Sequence, residues 1–118
     1  MAGSPAAMQE LEQSAAEVSG ILRALSNDRR LMIVCKLVEW GEANVSSLAE
    51  AVGLSQSALS QHLAKLRDRK IIAYRRDSQT LWYRIADPRI EKLFAMLHGL
   101  FCQPAKRGRR SPSRKKAP

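Results

Sequence analysis

A mainly helical domain carrying one small β-hairpin is what the sequence predicts, and three observations predict it. Apolar residues recur at three- and four-residue spacings along most of the chain. Two short β-prone runs, Ile71–Arg75 and Leu81–Ile85, flank a polar stretch. Aromatic residues make up only 5% of the 118 residues, with six glycines and five prolines, which leans away from an all-β sandwich. A chain of this length supports one core and not a second catalytic domain.

Each element has a local cause. Residues 1–7 read as a flexible leader. Met8–Leu25 reads as one helix, with Leu11, Ala15, Val18, Leu22 and Leu25 along a single stripe. Ser26 and Asn27 are capping residues, and Asp28 suits the dipole of the helix that follows. That helix runs to about Glu39, is expected to bury Leu31, Val34, Cys35 and Val38, and stops at Gly41. Ser46 or Ser47 caps a short helix carrying Leu48, Ala49 and Val52. Gly53-Leu54-Ser55 is a tight turn, and Ser55 caps a longer helix that buries Leu59, Leu63 and Leu66. Short helix, glycine turn, longer helix is the helix-turn-helix pattern. The hairpin turns through Arg76–Thr80. Pro88 opens a last helix with Ile90, Leu93, Phe94, Leu97 and Phe101 on its apolar face. The expectation is a winged helix-turn-helix over residues 8–102, with about five helices plus a two-stranded wing.

Charge narrows the function. Twenty Lys and Arg against eleven Asp and Glu give a net charge of +9, which points to nucleic acid as the partner. Seven of the cations and no acid lie in 103–118, a stretch that reads as a disordered basic tail, either solubilising or in contact with phosphates. A second basic cluster, Arg67, Arg69, Lys70, Arg75, Arg76 and Arg84, falls inside the domain. The longest apolar run, Leu31–Cys35, is too short to cross a bilayer, and the first residues lack a secretion pattern. Two cysteines suit a reducing compartment, so a cytoplasmic protein without membrane contact is expected.

A helix read in the major groove needs small polar and hydrogen-bonding side chains opposite its buried stripe. Gln56, Ser57, Ser60, Gln61, His62 and Lys65 form that set. Gln pairs bidentately with adenine, Ser takes either partner, and Lys suits phosphate or guanine. Arg75, Arg76, Gln79 and Thr80 of the hairpin are placed to reach the DNA backbone or the minor groove. No glycine-rich phosphate loop, HExxH motif or acid–base pair is present, so an enzyme is not expected, nor is a cofactor. A basic architectural protein remains an alternative. Its aromatic stacking platform is missing, because Trp82 and Tyr83 are adjacent and point to opposite sides of a strand.

The segments Leu25–Leu31, Val45–Arg67 and Trp82-Tyr83-Arg84 resemble the ArsR/SmtB family of bacterial repressors. Lys70 departs from the pattern, since members often have glycine after the recognition helix. The resemblance implies a homodimer on double-stranded operator DNA, with first and last helices at the interface, and repression relieved by an inducer. The apolar faces near both ends of the chain are compatible with that dimer.

The family's common metal sites are dismantled here. Glu39–Leu48 holds no Cys-x-Cys. Asp87 is present, but Arg89, Leu100 and Gln103 stand where the other ligands would be, and neither a guanidinium nor a leucine coordinates zinc. What remains is Cys35 and Cys102. A cysteine in the second helix with one in the last resembles the subgroup that senses persulfides and polysulfides. One or two inserted sulfurs would lengthen a bridge between them beyond disulfide reach. Cys35 alone is equally a small core residue. His98, four residues before Cys102, is positioned to favour its thiolate. A metal- or metalloid-responsive repressor using Cys35, Cys102 and His98 is the competing reading.

Overall fold

Side-chain caps set where most helices of the domain begin. In the computed structural model, which describes residues 5–102, Asn27 Oδ1 accepts from the backbone N–H groups of Arg29 (2.9 Å) and Arg30 (3.1 Å). This starts α3, Asp28–Trp40. It is preceded by α1 (Pro5–Gln13) and α2 (Ala15–Leu25). Asn44 caps α4 (Val45–Val52), accepting from Ser47 N at 2.8 Å. The two serines expected in that role lie inside the helix. Asparagine fits because it can hold the extended backbone of a cap while its side chain bends back to the third residue. Ser55 caps α5 (Gln56–Asp68) as expected, accepting from Ala58 N at 3.1 Å. Asp87 caps α6 (Pro88–Phe101).

Six helices form among the described residues, against the expected five. The predicted Met8–Leu25 helix divides at Ser14, whose carbonyl accepts from Val18 N (2.9 Å) and so opens a new helix. Serine tolerates such a break because it competes poorly for helix interiors. The stripe drawn along that single helix does not hold. Leu25 is buried, Val18 half-buried, and Leu11, Ala15 and Leu22 exposed.

The sheet has three antiparallel strands in the order β1-β3-β2, not two. Here β1 is Ala43–Asn44, β2 is Ile72–Asp77 and β3 is Thr80–Ile85. β1 pairs Ala43 with Tyr83 and Asn44 with Trp82. Two residues are too few to show an alternating pattern, so only the pairing reveals it. The hairpin is also longer than expected. Pairing continues to Asp77 opposite Thr80, leaving Ser78 and Gln79 as a two-residue turn with Ser78 at φ 57°.

The core lies between α3, α4, α5 and the sheet. Ile33, Leu37, Leu48, Leu59, Leu66 and Ile72 are its largest fully enclosed side chains. The face of α3 was read out of phase. Val34 is buried as expected, Val38 is half-buried, and Leu31 and Cys35 are exposed. Ile33 and Leu37 point inward instead, one helical turn apart.

Two turns fix the helix-turn-helix. Gly53 adopts the left-handed conformation (φ 71°, ψ 39°), and Leu54 N–H donates to Ala49 O at 3.0 Å to close α4. At the end of α5 the same closure recurs without glycine. Ile71 N–H donates to Leu66 O (3.1 Å), Lys70 N–H to Arg67 O (2.9 Å), and Lys70 holds φ 61°. No helix among the described residues is long and apolar enough to cross a membrane. Of the expected leader 1–7, Pro5–Ala7 form the first turn of α1, while residues 1–4 and the basic stretch 103–118 lie outside the described residues.

Candidate nucleic-acid interface and thiol site

Burial of Leu59, Leu63 and Leu66 fixes the rotation of α5. The opposite face then presents Gln56, Ser57, Ser60, Gln61 and Lys65 to solvent. Gln56 Nε2 donates to Ser46 Oγ at 3.3 Å, linking the two helices of the motif. His62 behaves differently. It is half-buried, and its Nδ1 accepts from Arg30 Nε of α3 at 3.1 Å. Burial holds the imidazole below its ordinary pKa, and the charges of Arg30, Arg29 and Lys65 push the same way. A neutral ring is what an Nδ1 acceptor requires.

The wing divides its residues similarly. Arg76 and Gln79 are exposed, and Thr80 is half-buried beside the turn. Arg75 is engaged by Glu42, just before β1, donating from Nε to Oε2 (2.8 Å) and from Nη2 to Oε1 (3.1 Å). Its guanidinium also lies 5.9 Å from the ring centre of Trp82. The hydrogen bond from Arg75 holds the Glu42 carboxyl below the usual carboxylate range. Arg75 is thus a brace between wing and scaffold. Tyr74 and Tyr83 face each other across the hairpin at 5.4 Å, and Arg67 of α5 stacks over Tyr74 at 5.2 Å. Sequence reasoning missed Glu42 because its partner lies 33 residues away with no local pattern between them.

The two thiols lie on α3 and just after α6. A hollow of about 540 Å³ between α3 and α6 is lined by Cys35, Val38, Glu39, Phe94, Ala95 and His98. Cys102 follows α6 directly, its N–H donating to His98 O at 3.0 Å. Both cysteines are free and exposed. Desolvation raises the Cys35 thiol above its ordinary pKa, and the nearby Cys102 sulfur raises it further, while Lys36 opposes them.

Asp87, the surviving member of the dismantled metal site, accepts from Arg89 Nη2 at 2.7 Å. Arg89 also reaches Glu17 of α2 at 3.1 Å. A guanidinium thus occupies the carboxylate and ties α6 to α2. Among the described residues no three His, Cys, Asp or Glu side chains gather to hold a metal ion.

Comparison with known proteins agrees with this geometry. Residues 27–74 match the model of the bacterial regulatory protein, arsR family. The transcriptional activator HlyU of Vibrio cholerae is 40% identical over 86% of this chain and 93% of its own. The structure described as reduced HlyU from that organism superposes with a TM-score of 0.73, covering 80% of this chain and 99% of that one. The transcriptional repressor BigR from Xylella fastidiosa gives a TM-score of 0.76 at 38% identity, covering 81% and 97%. A homodimeric winged helix-turn-helix DNA-binding domain from Mycobacterium bovis gives 0.68 at 31% identity, covering 85% and 89%. With its own winged helix-turn-helix and these relatives, the chain belongs to the ArsR family of DNA-binding transcriptional regulators.

Proposed function

We propose that the chain is a repressor that binds double-stranded operator DNA as a homodimer and lets go when Cys35 and Cys102 react with persulfides or polysulfides. The observation that carries this reading is a pair of free, exposed thiols at the α3–α6 junction: Cys35 lines the hollow there, and Cys102 directly follows α6, its N–H bonded to the carbonyl of His98 in the same lining. The names of two relatives support parts of it. One is described as a repressor, and another has a structure described as its reduced form.

In this reading Gln56, Ser57, Ser60, Gln61 and Lys65 contact base edges and nearby phosphates, and Arg76 and Gln79 follow the backbone from the wing. His62 and Arg75 hold the reading elements in place. The cations of 103–118 add affinity without sequence preference. Dimerisation covers apolar side chains that one copy leaves in water: Met8, Leu11 and Leu22 near one end, and Met96, Leu100 and Phe101 on α6.

The switch is an exchange of sulfur. The Cys35 thiolate attacks the outer sulfur of a persulfide, RSSH, giving Cys35–S–SH and releasing RS⁻. The Cys102 thiolate then attacks Cys35 Sγ, forming a Cys35–Cys102 disulfide and releasing HS⁻. The two thiols together lose two electrons, and the transferred sulfur gains them. Fixing α6 to α3 changes the spacing of the two reading helices in the dimer. A hundredfold loss of affinity needs only about 2.7 kcal/mol.

Intact-mass analysis after treatment with a polysulfide donor tests the chemistry. A loss of two hydrogens, or that loss plus whole sulfur atoms, with peptides joined through Cys35 and Cys102, is expected. An unchanged mass under conditions that release DNA would exclude it.

A further inference from the structure

A side chain at Gly20 of α2 would have to displace the Arg69 guanidinium. A Cβ there would stand 2.4 Å from Nη1 and 2.7 Å from Cζ of Arg69. The absence of a side chain lets the Arg69 guanidinium lie against the backbone of α2. Beside it is a hollow of about 290 Å³ whose lining includes Arg23, Arg30, Lys65 and Arg69, with Asp68 the one acid. Three helices supply these cations: α2, α3 and the end of α5.

Among the described residues, Arg23, Lys65 and Arg69 enter no ion pair. Arg30 is held in place rather than neutralised. Its Nη1 donates to Ala24 O at 3.1 Å and its Nε to His62 Nδ1, which fixes the plane of the fork. Four positive groups around one hollow repel each other, and an anion between them reverses the sign of that interaction. Guanidinium forks match pairs of oxygens on a tetrahedral oxyanion better than they match a spherical halide.

We infer that this hollow binds a phosphate group. The group comes either from the backbone of bound DNA, which rests on the DNA-binding reading above, or from free inorganic phosphate, which does not. In the first case the site is a positioning contact at the far end of the recognition helix from Ser55. In the second it is a small-anion site on the helix that reads DNA.

Titration of inorganic phosphate into the full DNA-free chain, followed by NMR against chloride at matched ionic strength, tests the inference. Saturable shifts at the Gly20 and Ala24 amides and the Arg30 and Arg69 side chains are expected. Arg23→Gln and Arg69→Gln should each weaken phosphate binding about tenfold or more, as expected for a lost charge-assisted contact. Gly20→Ala should do the same by displacing Arg69, with thermal melting to verify its fold. Competition between phosphate and DNA in the wild type, lost in Arg69→Gln, assigns the site to the DNA backbone. Phosphate binding that persists on the DNA complex assigns it to the free ion. Absence of saturable shifts, or equal shifts in wild type and Arg69→Gln, overturns the inference. A protein that bound phosphate here and no DNA would overturn only the DNA-binding reading.

Discussion

Arg30 Nε donates to His62 Nδ1 at 3.1 Å, joining the scaffold helix α3 to the recognition helix α5. The bond exists only while the imidazole is neutral, because a protonated ring has no acceptor. His62 is also half-buried among cations, so its folded pKa lies below the ordinary 6.5.

The sign of the pH effect follows. As pH falls through 6.5, the unfolded chain takes up a proton at His62 before the folded one does. Stability is therefore lower below that value and rises with pH across the window between the folded pKa and 6.5. Urea unfolding midpoints should fall as the buffer is taken from neutral to mildly acidic, and His62→Gln should flatten part of that fall. An identical pH profile in wild type and variant would show that His62 is not the group responsible.

Lys70 occupies a left-handed position that glycine fills without strain. Both closing hydrogen bonds of α5 are made nonetheless. Lys70→Gly should therefore raise stability by about 1 kcal/mol, the strain removed being partly offset by a more flexible unfolded chain. Chemical denaturation measures this directly, and a loss of stability would mean that the Lys70 side chain makes a stabilising contact of its own.

The proposed DNA contacts separate into readers and braces. Gln61→Ala and Ser57→Ala should each reduce discrimination between operator and random DNA by about 1–3 kcal/mol. Arg76→Ala should weaken all sequences alike and lower the salt slope by about one. Arg75→Ala should act through the wing's position, and Glu42→Ala should reproduce its effect, since the two form one ion pair. Fluorescence anisotropy at several salt concentrations distinguishes these patterns. A change of specificity in Arg76→Ala without one in Gln61→Ala would reverse the division between helix and wing.

What the sequence made legible follows the range of the interaction. Local signals worked: Gly53, Ser55, Asn27 and Pro88 all act where their chemistry places them. The leucines of α5 gave its phase correctly, and with it the solvent-exposed face. Signals that depend on distant partners did not carry. β1 is defined only by its pairing with β3, and the bracing of Arg75 only by Glu42. His62 shares the spacing of the exposed set, and its bond to Arg30, 32 residues earlier, has no local pattern to announce it. Cys35 looked like core because α3 is apolar on more than one side. Ile33 and Leu37 take the core, which leaves the thiol at the hollow beside α6.

The central claim is that these two thiols govern release from DNA. The most direct measurement is a DNA-binding titration of the wild type and of the Cys35→Ser, Cys102→Ser double variant, each with and without a persulfide donor. The account predicts that the donor lowers wild-type affinity about a hundredfold, that reduction restores it, and that the double variant stays bound throughout. Release of the double variant to the same extent as the wild type would contradict the account and remove the cysteines from the switch.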